Sequence, residues 1–198
     1  MERRNLPIEF RKEDEKIIGH AAVFDTPVSI GGWFDEVVRK GAFVESIKTD
    51  DIRALLNHDP NYVLGRNKAG TLYLEEDENG LLIDNDPPDT QWARDLKVSM
   101  KRGDIDQMSF GFRAVEEKWT TRDGQPDLRE LLKVKLYDVS PVTYPAYEET
   151  DVQVRTALEN APDDIRNKLL SNGGQGAPED EDKSNQGQGL KMKRLKII

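Results

Sequence analysis

Two long runs of alternating apolar and polar residues dominate the second half of the chain. They read "QMSFGFRAVEEKWT" at 107–120 and "LRELLKVKLYDVSPVTY" at 128–144, with the polar stretch "TRDGQP" between them at 121–126. Both exceed the length of an average strand, which is about five to six residues. A period of two is typical of strands with one buried face. The runs therefore predict two long strands joined by a turn.

Shorter patterns complete a mixed, strand-rich domain. "LPIEFRKEDEKIIGHAAVF" predicts an opening hairpin that turns at "KEDE", and "TLYLEEDENGLLIDNDPP" predicts two strands joined at "ENG". Apolar residues at helical spacing indicate a short helix at 41–48. A second helix is expected at 89–102, capped by Asp89 or Thr90 and ended by Gly103, with Trp92, Leu96 and Met100 on one face.

The chain length and the change of composition after Tyr147 indicate one domain with an extension. The chain has 198 residues, of which 36% are hydrophobic and 34% charged, so part of it is expected to lie outside the core. Residues 172–189, "NGGQGAPEDEDKSNQGQG", have too little apolar surface to fold and are expected to be disordered. We divide the chain into a domain at 1–158 and a C-terminal extension at 159–198, helical at first and then disordered.

Several function classes are disfavoured by composition. The chain contains no cysteine, which excludes disulfides, thiol nucleophiles and thiolate metal sites, and its two histidines are too far apart in sequence for a metal motif. A net charge of −9 disfavours nucleic-acid binding. No apolar stretch is long enough to span a bilayer, and no glycine-rich cofactor loop is present. We therefore expect a cytoplasmic protein without membrane, nucleic acid, metal or cofactor.

The histidines limit the choice of a general base. His20 lies inside the strand-like run "IIGHAAVF", without an evident polar neighbour, and is expected to be structural. His58 ends the apolar run "IRALLNH" and precedes "DPN", a turn expected to leave its imidazole at the rim of a sheet. Asp59 is expected to be a turn residue and not the acid that orients His58, because successive side chains diverge.

Ser109, in "MSFGF", is either an ordinary strand residue or a nucleophile, and its local sequence leaves both interpretations open. The G-x-S-x-G elbow of α/β-hydrolases is absent. Gly111 lies two residues further on, hence on the same strand face, and would leave room for a bound peptide backbone.

Three segments decide the interpretation because they occur together and in order. "LLNHDPNYVLGR", "PDTQWARDLKVSMKRGDIDQMSFGF" and "LYDVSPVTYPAYEET" closely resemble the tailed-phage prohead proteases, a capsid maturation family whose fold is related to herpesvirus assemblin. The resemblance covers roughly residues 5–155. It implies an α+β, strand-rich fold in which an antiparallel β-barrel or strongly bent sheet is covered by a few helices.

The resemblance also implies a serine endopeptidase that acts inside the viral procapsid in the host cytoplasm. The family histidine falls on His58, its serine on Ser109, and an acidic residue on Asp138, with Glu148 and Asp151 as alternatives. The implied partners are the major capsid protein with its scaffolding segment, or a separate scaffold protein, and the chain itself as substrate; association into homo-oligomers is left open. The Pro-rich loop "VSPVTYPAY" is the expected source of oxyanion donors. The competing hypothesis is a non-enzymatic scaffold or capsid-assembly factor that retains the protease fold.

Overall fold

The computed structural model describes residues 2–7, 16–144 and 150–172. Their order along the chain is β1 (Glu2–Pro7), β2 (Ile17–Val23), β3 (Val28–Ile30), β4 (Phe34–Val38), α1 (Val44–Thr49), β5 (Arg53–Leu56), β6 (Asp59–Arg66), a 3₁₀ turn (Asn67–Ala69), β7 (Leu72–Glu76), β8 (Gly80–Asn85), α2 (Gln91–Arg102), β9 (Gln107–Thr120), β10 (Asp127–Val142), α3 (Thr150–Glu159) and α4 (Asp163–Asn172).

The antiparallel pair of β9 and β10 is the centre of the larger sheet. It has the order β1-β9-β10-β4-β3, and β5 joins it on β10 with β6 outside β5. The start of β10 pairs with β4 and its end with β5, both in parallel, so β10 is long enough to hold two strands in succession along one side. The predicted pair of long strands is thus confirmed.

A second, three-stranded sheet has the order β2-β8-β7. Its β7–β8 hairpin confirms the predicted turn at "ENG". The predicted opening hairpin is wrong, because β1 pairs with β9 in the larger sheet while β2 pairs with β8 in the smaller one. The "KEDE" segment of that prediction lies outside the described residues.

The strand-rich α+β class is confirmed, but the closed barrel is wrong for the described part of the chain. The two sheets are open, because the pairing that starts from β9 and β10 ends at β1 on one side and at β3 and β6 on the other. Both sheets contribute side chains to one apolar core, among them Leu81 and Ile83 of the smaller sheet and Phe110 and Phe112 of the larger one.

Both predicted helices are present with slightly shifted ends. α2 begins after Thr90 and ends at a left-handed Gly103, and it buries Leu96 and Met100 on one face as expected. α1 begins at Val44, three residues later than predicted. Among the described residues no helix is both long and apolar enough to cross a membrane.

α3 and α4 form a separate apolar cluster against β3 and β4. Ile165 and Leu169 of α4 are buried there with Val154 and Leu158 of α3 and with Phe34. Lys168 of α4 also donates to the buried carboxylate of Asp127 at the start of β10, at 2.8 Å. The segment predicted to be disordered, 172–189, lies almost entirely outside the described residues.

Candidate active site

The strand β9 presents two different faces around Ser109. Met108, Phe110 and Phe112 belong to the apolar core, and the ring of Phe110 meets that of Phe43 at 5.5 Å. Ser109 lies between them in sequence and therefore points to the opposite face of the sheet. The alternation of "MSFGF" thus fixes the serine hydroxyl on a rigid strand, away from the core residues that anchor it.

His58 lies in a two-residue turn and not at the end of a strand. Leu56 pairs with Asp59, and the two residues between them, Asn57 and His58, have φ values of 53° and 57°. Positive φ at both central positions is the mark of a type I′ hairpin turn. The predicted turn at "DPN" is therefore wrong, because Asp59 and Pro60 already belong to β6.

Asn57 ties this turn to the end of β10. Its backbone N–H donates to the carbonyl of Pro141 at 2.9 Å. Its side-chain Nδ2 donates to Thr143 Oγ1 at 3.1 Å, and its Oδ1 accepts from the Thr143 N–H at 2.8 Å. Three hydrogen bonds to Pro141 and Thr143, at the end of β10, hold the imidazole of His58 over this strand.

The three residues implied by the resemblance meet in a hydrogen-bonded chain. His58 Nε2 lies 2.7 Å from Ser109 Oγ, and His58 Nδ1 lies 2.5 Å from Asp138 Oδ1. A carboxylate only accepts hydrogen bonds, so Nδ1 carries the proton of the neutral imidazole and Nε2 is left to accept from the serine hydroxyl. This arrangement can take a proton from Ser109 and hold it on the ring.

The register of the sheet explains why Asp138 takes this place. Asp138 pairs with Gly111 of β9 on one side and with Arg53 of β5 on the other. The hairpin of β5 and β6 carries His58 in its turn. Of the alternatives, Glu148 lies outside the described residues and the side chain of Asp151 is not described. Asp59 is the first residue of β6, and its Oδ1 accepts from the N–H and side chain of Asn61.

All three side chains are covered in this structure. Ser109 is 0% exposed, and the side chains of His58 and Asp138 are each 5% exposed. Burial strengthens the hydrogen bonds between them by excluding water.

His20 belongs to the other sheet and has a polar partner that the sequence did not reveal. Its Nε2 lies 2.8 Å from Asp77 Oδ2. Burial raises the pKa of Asp77, but hydrogen bonds from His20 and from the N–H groups of Gly80 and Asn79 outweigh it, so the pKa lies below its usual value. His20 thus holds the β7–β8 turn to β2, in keeping with the structural role expected for it.

Two site residues were missed from the sequence: Asn57 and Ser140. Ser140 Oγ donates to Asp138 Oδ1 at 2.7 Å and is completely buried. The spacing of Asp138 and Ser140 in "YDVSP" was the available signal, because residues two apart on a strand share a face. The "VSPVTYPAY" segment is not wholly a loop, since β10 extends through Val142, and its residues 145–147 lie outside the described part.

The sequence is similar to those of known phage proteins. The sequence pattern of the caudovirus prohead serine proteases matches residues 4–164. The chain belongs to this family. It is 28% identical over 145 residues to the prohead protease of Enterobacteria phage HK97, a match that covers 71% of this chain and 60% of that relative. The solved structure of the bacteriophage T4 capsid assembly protease superposes with a TM-score of 0.49 at 12% identity, over 72% of this chain and 96% of that one.

Proposed function

We propose that this member of the prohead protease family is a serine endopeptidase of phage capsid maturation. Ser109 is its nucleophile, His58 its general base and Asp138 the residue that orients the histidine. The observation that carries the proposal is the hydrogen-bonded chain from Ser109 Oγ through both ring nitrogens of His58 to Asp138 Oδ1, with distances of 2.7 and 2.5 Å. Family membership supports the same reaction.

The mechanism follows from the donors and acceptors of this chain. Neutral His58 takes the proton of Ser109 at Nε2 as Oγ attacks the scissile carbonyl. The ring is then a cation, and the adjacent Asp138 carboxylate stabilises it. Nε2 returns the proton to the leaving amine, and a water molecule repeats the cycle on the acyl-enzyme. Because Ser109 is fully buried, local opening of the site precedes the attack.

The proposed substrates are a scaffold protein, or the scaffolding segment of the major capsid protein, inside the procapsid. The similarity to the prohead protease of phage HK97 supports this setting. We further propose that the protease cleaves its own C-terminal extension. The buried side chains of α4 argue for a cleavage site after about residue 172 and not directly after 158, because a cut at 158 would separate Ile165 and Leu169 from their core.

Co-expression with the major capsid protein, followed by mass spectrometry of intact proteins and fragments, tests the proposal. The wild-type chain is expected to yield discrete capsid-protein fragments and a shortened form of itself, whereas Ser109→Ala yields neither. Ser29→Ala is the matched control, because Ser29 is an exposed strand serine on β3. Identical fragments from wild type and Ser109→Ala would reject the enzyme and favour a non-enzymatic assembly factor.

A further inference from the structure

Ser140 is a second buried serine beside the three proposed catalytic residues. It lies on β10 directly opposite Ser109 in the register of β9 and β10, and two residues after Asp138. It is 0% exposed, and its Oγ lies 2.7 Å from Asp138 Oδ1. The Ser140 hydroxyl has no part in the proposed reaction, although it lies inside the site and is hydrogen-bonded to one of its three residues.

Asp138 Oδ1 therefore accepts two hydrogen bonds on one oxygen. One comes from His58 Nδ1 at 2.5 Å and the other from Ser140 Oγ at 2.7 Å. Since an ionised carboxylate has no hydrogen to give, the Ser140 hydroxyl is the donor and its hydrogen is committed to Asp138. Ser140 thus differs from Ser109, whose hydroxyl faces the imidazole.

The geometry explains what the second donor does. The terminal torsion of an aspartate side chain is broad, so one hydrogen bond to a ring that can itself rotate does not fix the carboxylate. Ser140 lies on the same strand as Asp138 and supplies a donor whose position is set by the backbone. The carboxylate then presents Oδ1 to His58 Nδ1 before substrate arrives, which keeps the proton on Nδ1 and leaves Nε2 free.

We propose that Ser140 is a positioning residue that acts through Asp138 on His58. This inference rests on the proposed peptidase reaction. Without the Ser140 hydroxyl, fewer molecules hold His58 in the productive tautomer and orientation, so kcat falls. KM stays unchanged, because the hydrogen of the Ser140 hydroxyl is committed to Asp138 and the proposal gives Ser140 no contact with the substrate.

Charge gives a second, independent consequence. A donor to Asp138 draws negative charge away from Oδ1, so its removal lets the carboxylate hold a protonated His58 more tightly. The acid limb of the rate profile is expected to move to higher pH when the hydroxyl is removed. A residue that served only to fill space would leave this limb in place.

The test compares Ser140→Ala with Ser140→Thr, which keeps the hydroxyl. Ser140→Ala is expected to lower kcat about 10- to 100-fold, the loss of one hydrogen bond to a charged group, with KM unchanged and the acid limb shifted upward. Ser140→Thr is expected to restore most of kcat and the wild-type limb. Ser46→Ala is the control for loss of a buried serine hydroxyl elsewhere in the fold: Ser46 Oγ donates to Asp50 Oδ2 at 2.6 Å and accepts from the Leu136 N–H at 2.8 Å.

Folded Ser140→Ala protein with wild-type kcat and an unshifted acid limb would overturn the proposal. Folded Ser140→Thr as impaired as Ser140→Ala would overturn it as well.

Proton NMR of the His58 Nδ1–H separates this inference from the proposed function, because it requires no turnover. His20→Gln identifies which of the two histidine signals belongs to His58. The His58 signal is expected to shift in Ser140→Ala, and an unchanged signal contradicts the inference even if the chain cleaves no peptide.

Discussion

At the scale of single residues, the proposed reaction depends on which aspartate orients His58. Asp138 and Asp59 are both near the histidine in the fold or in the sequence, but only Asp138 is hydrogen-bonded to its ring, while Asp59 accepts from Asn61. The two aspartates therefore form a natural pair of test and control. Their comparison separates the aspartate that orients His58 from a neighbouring aspartate that does not, without changing side-chain size.

Asp138→Asn is expected to lower kcat by roughly 10⁴-fold, because an amide can donate to Nδ1 and stabilise the wrong tautomer of His58. Asp59→Asn is expected to stay within a few fold of wild type, because its oxygen still accepts from Asn61. Steady-state kinetics on a scaffold-derived peptide measures both. Equal losses in the two variants would show that Asp138 has no special part in the reaction.

At the scale of elements, the β5–β6 turn decides where the imidazole lies. Asn57 has a φ of 53°, which an alanine adopts only with strain, and its side chain binds Thr143 through both a donor and an acceptor. Asn57→Gly removes the side-chain bonds without strain, and Asn57→Ala removes them and adds strain. The pair separates the anchoring of His58 from the stability of the turn.

Both Asn57 variants are expected to lose about 10- to 100-fold in kcat/KM, because the turn keeps only one of its three hydrogen bonds to the end of β10 and His58 shifts from Ser109. Asn57→Ala is expected to be less stable than Asn57→Gly by about 1 kcal/mol. Denaturant unfolding and peptide hydrolysis measure the two effects. Wild-type activity in Asn57→Gly would mean that Thr143 does not hold the turn.

The elements most visible in the sequence were those whose pattern reflects local burial. The alternation in β9 and β10 and the apolar face of α2 all gave strands and a helix where they were expected. The partners of the strands were harder to predict than the strands themselves. The "KEDE" run predicted a hairpin between neighbouring strands, whereas β1 pairs with β9, about one hundred residues further along the chain. Non-local pairing leaves no periodic mark in a single sequence.

The site was only partly predictable, because its residues come from separate parts of the chain. The set of His58, Ser109 and Asp138 came from the family resemblance; the local sequence around each residue could not have shown that the three belong together. Asn57 and Ser140 were missed because their roles depend on the crossing of the β5–β6 turn over β10. The type I′ turn is detectable afterwards in "NH", where asparagine favours positive φ, but histidine there is uncommon.

An ion-pair cluster links β10 to the loop after β4 and predicts a pH dependence of stability. Hydrogen bonds from Arg39 hold the pKa of Glu130 below its usual value, with a further bond from Lys118. The folded chain therefore binds a proton at Glu130 less readily than the unfolded chain. The resulting stabilisation is fully present above the ordinary glutamate pKa of 4.5. It is lost as the pH falls through the lower pKa that Glu130 has in the folded chain.

Glu130→Gln is expected to lower the free energy of unfolding at pH 7 and to approach wild-type stability only at pH values below the lowered pKa of Glu130 in the folded chain. Denaturant unfolding of both proteins at several pH values measures the difference between them. A difference that stayed constant from pH 7 down to the acid unfolding of the proteins would show that the Glu130 carboxylate gains nothing from Arg39.

At the scale of the whole molecule, we propose that the contacts of α4 extend the folded domain to about residue 172. A chain that ends at 158 loses the burial of Ile165 and Leu169 and leaves Asp127 without Lys168, whereas a chain that ends at 172 keeps all of them. The shorter chain is expected to be less stable by about 3–6 kcal/mol. Denaturant unfolding of the two chains, with the full-length protein as reference, measures this. Equal stabilities would place the domain boundary at 158 after all.

The central claim is that Ser109 is the nucleophile and that His58 activates it. The most direct measurement is reaction of the full-length protein with a fluorophosphonate, followed by mass spectrometry of its peptides to locate the adduct. The account predicts a single adduct on Ser109, formed by the wild-type chain and lost in His58→Ala. An active protein that carries the adduct on another serine, Ser140 included, or labelling of Ser109 that proceeds unchanged without His58, would contradict it.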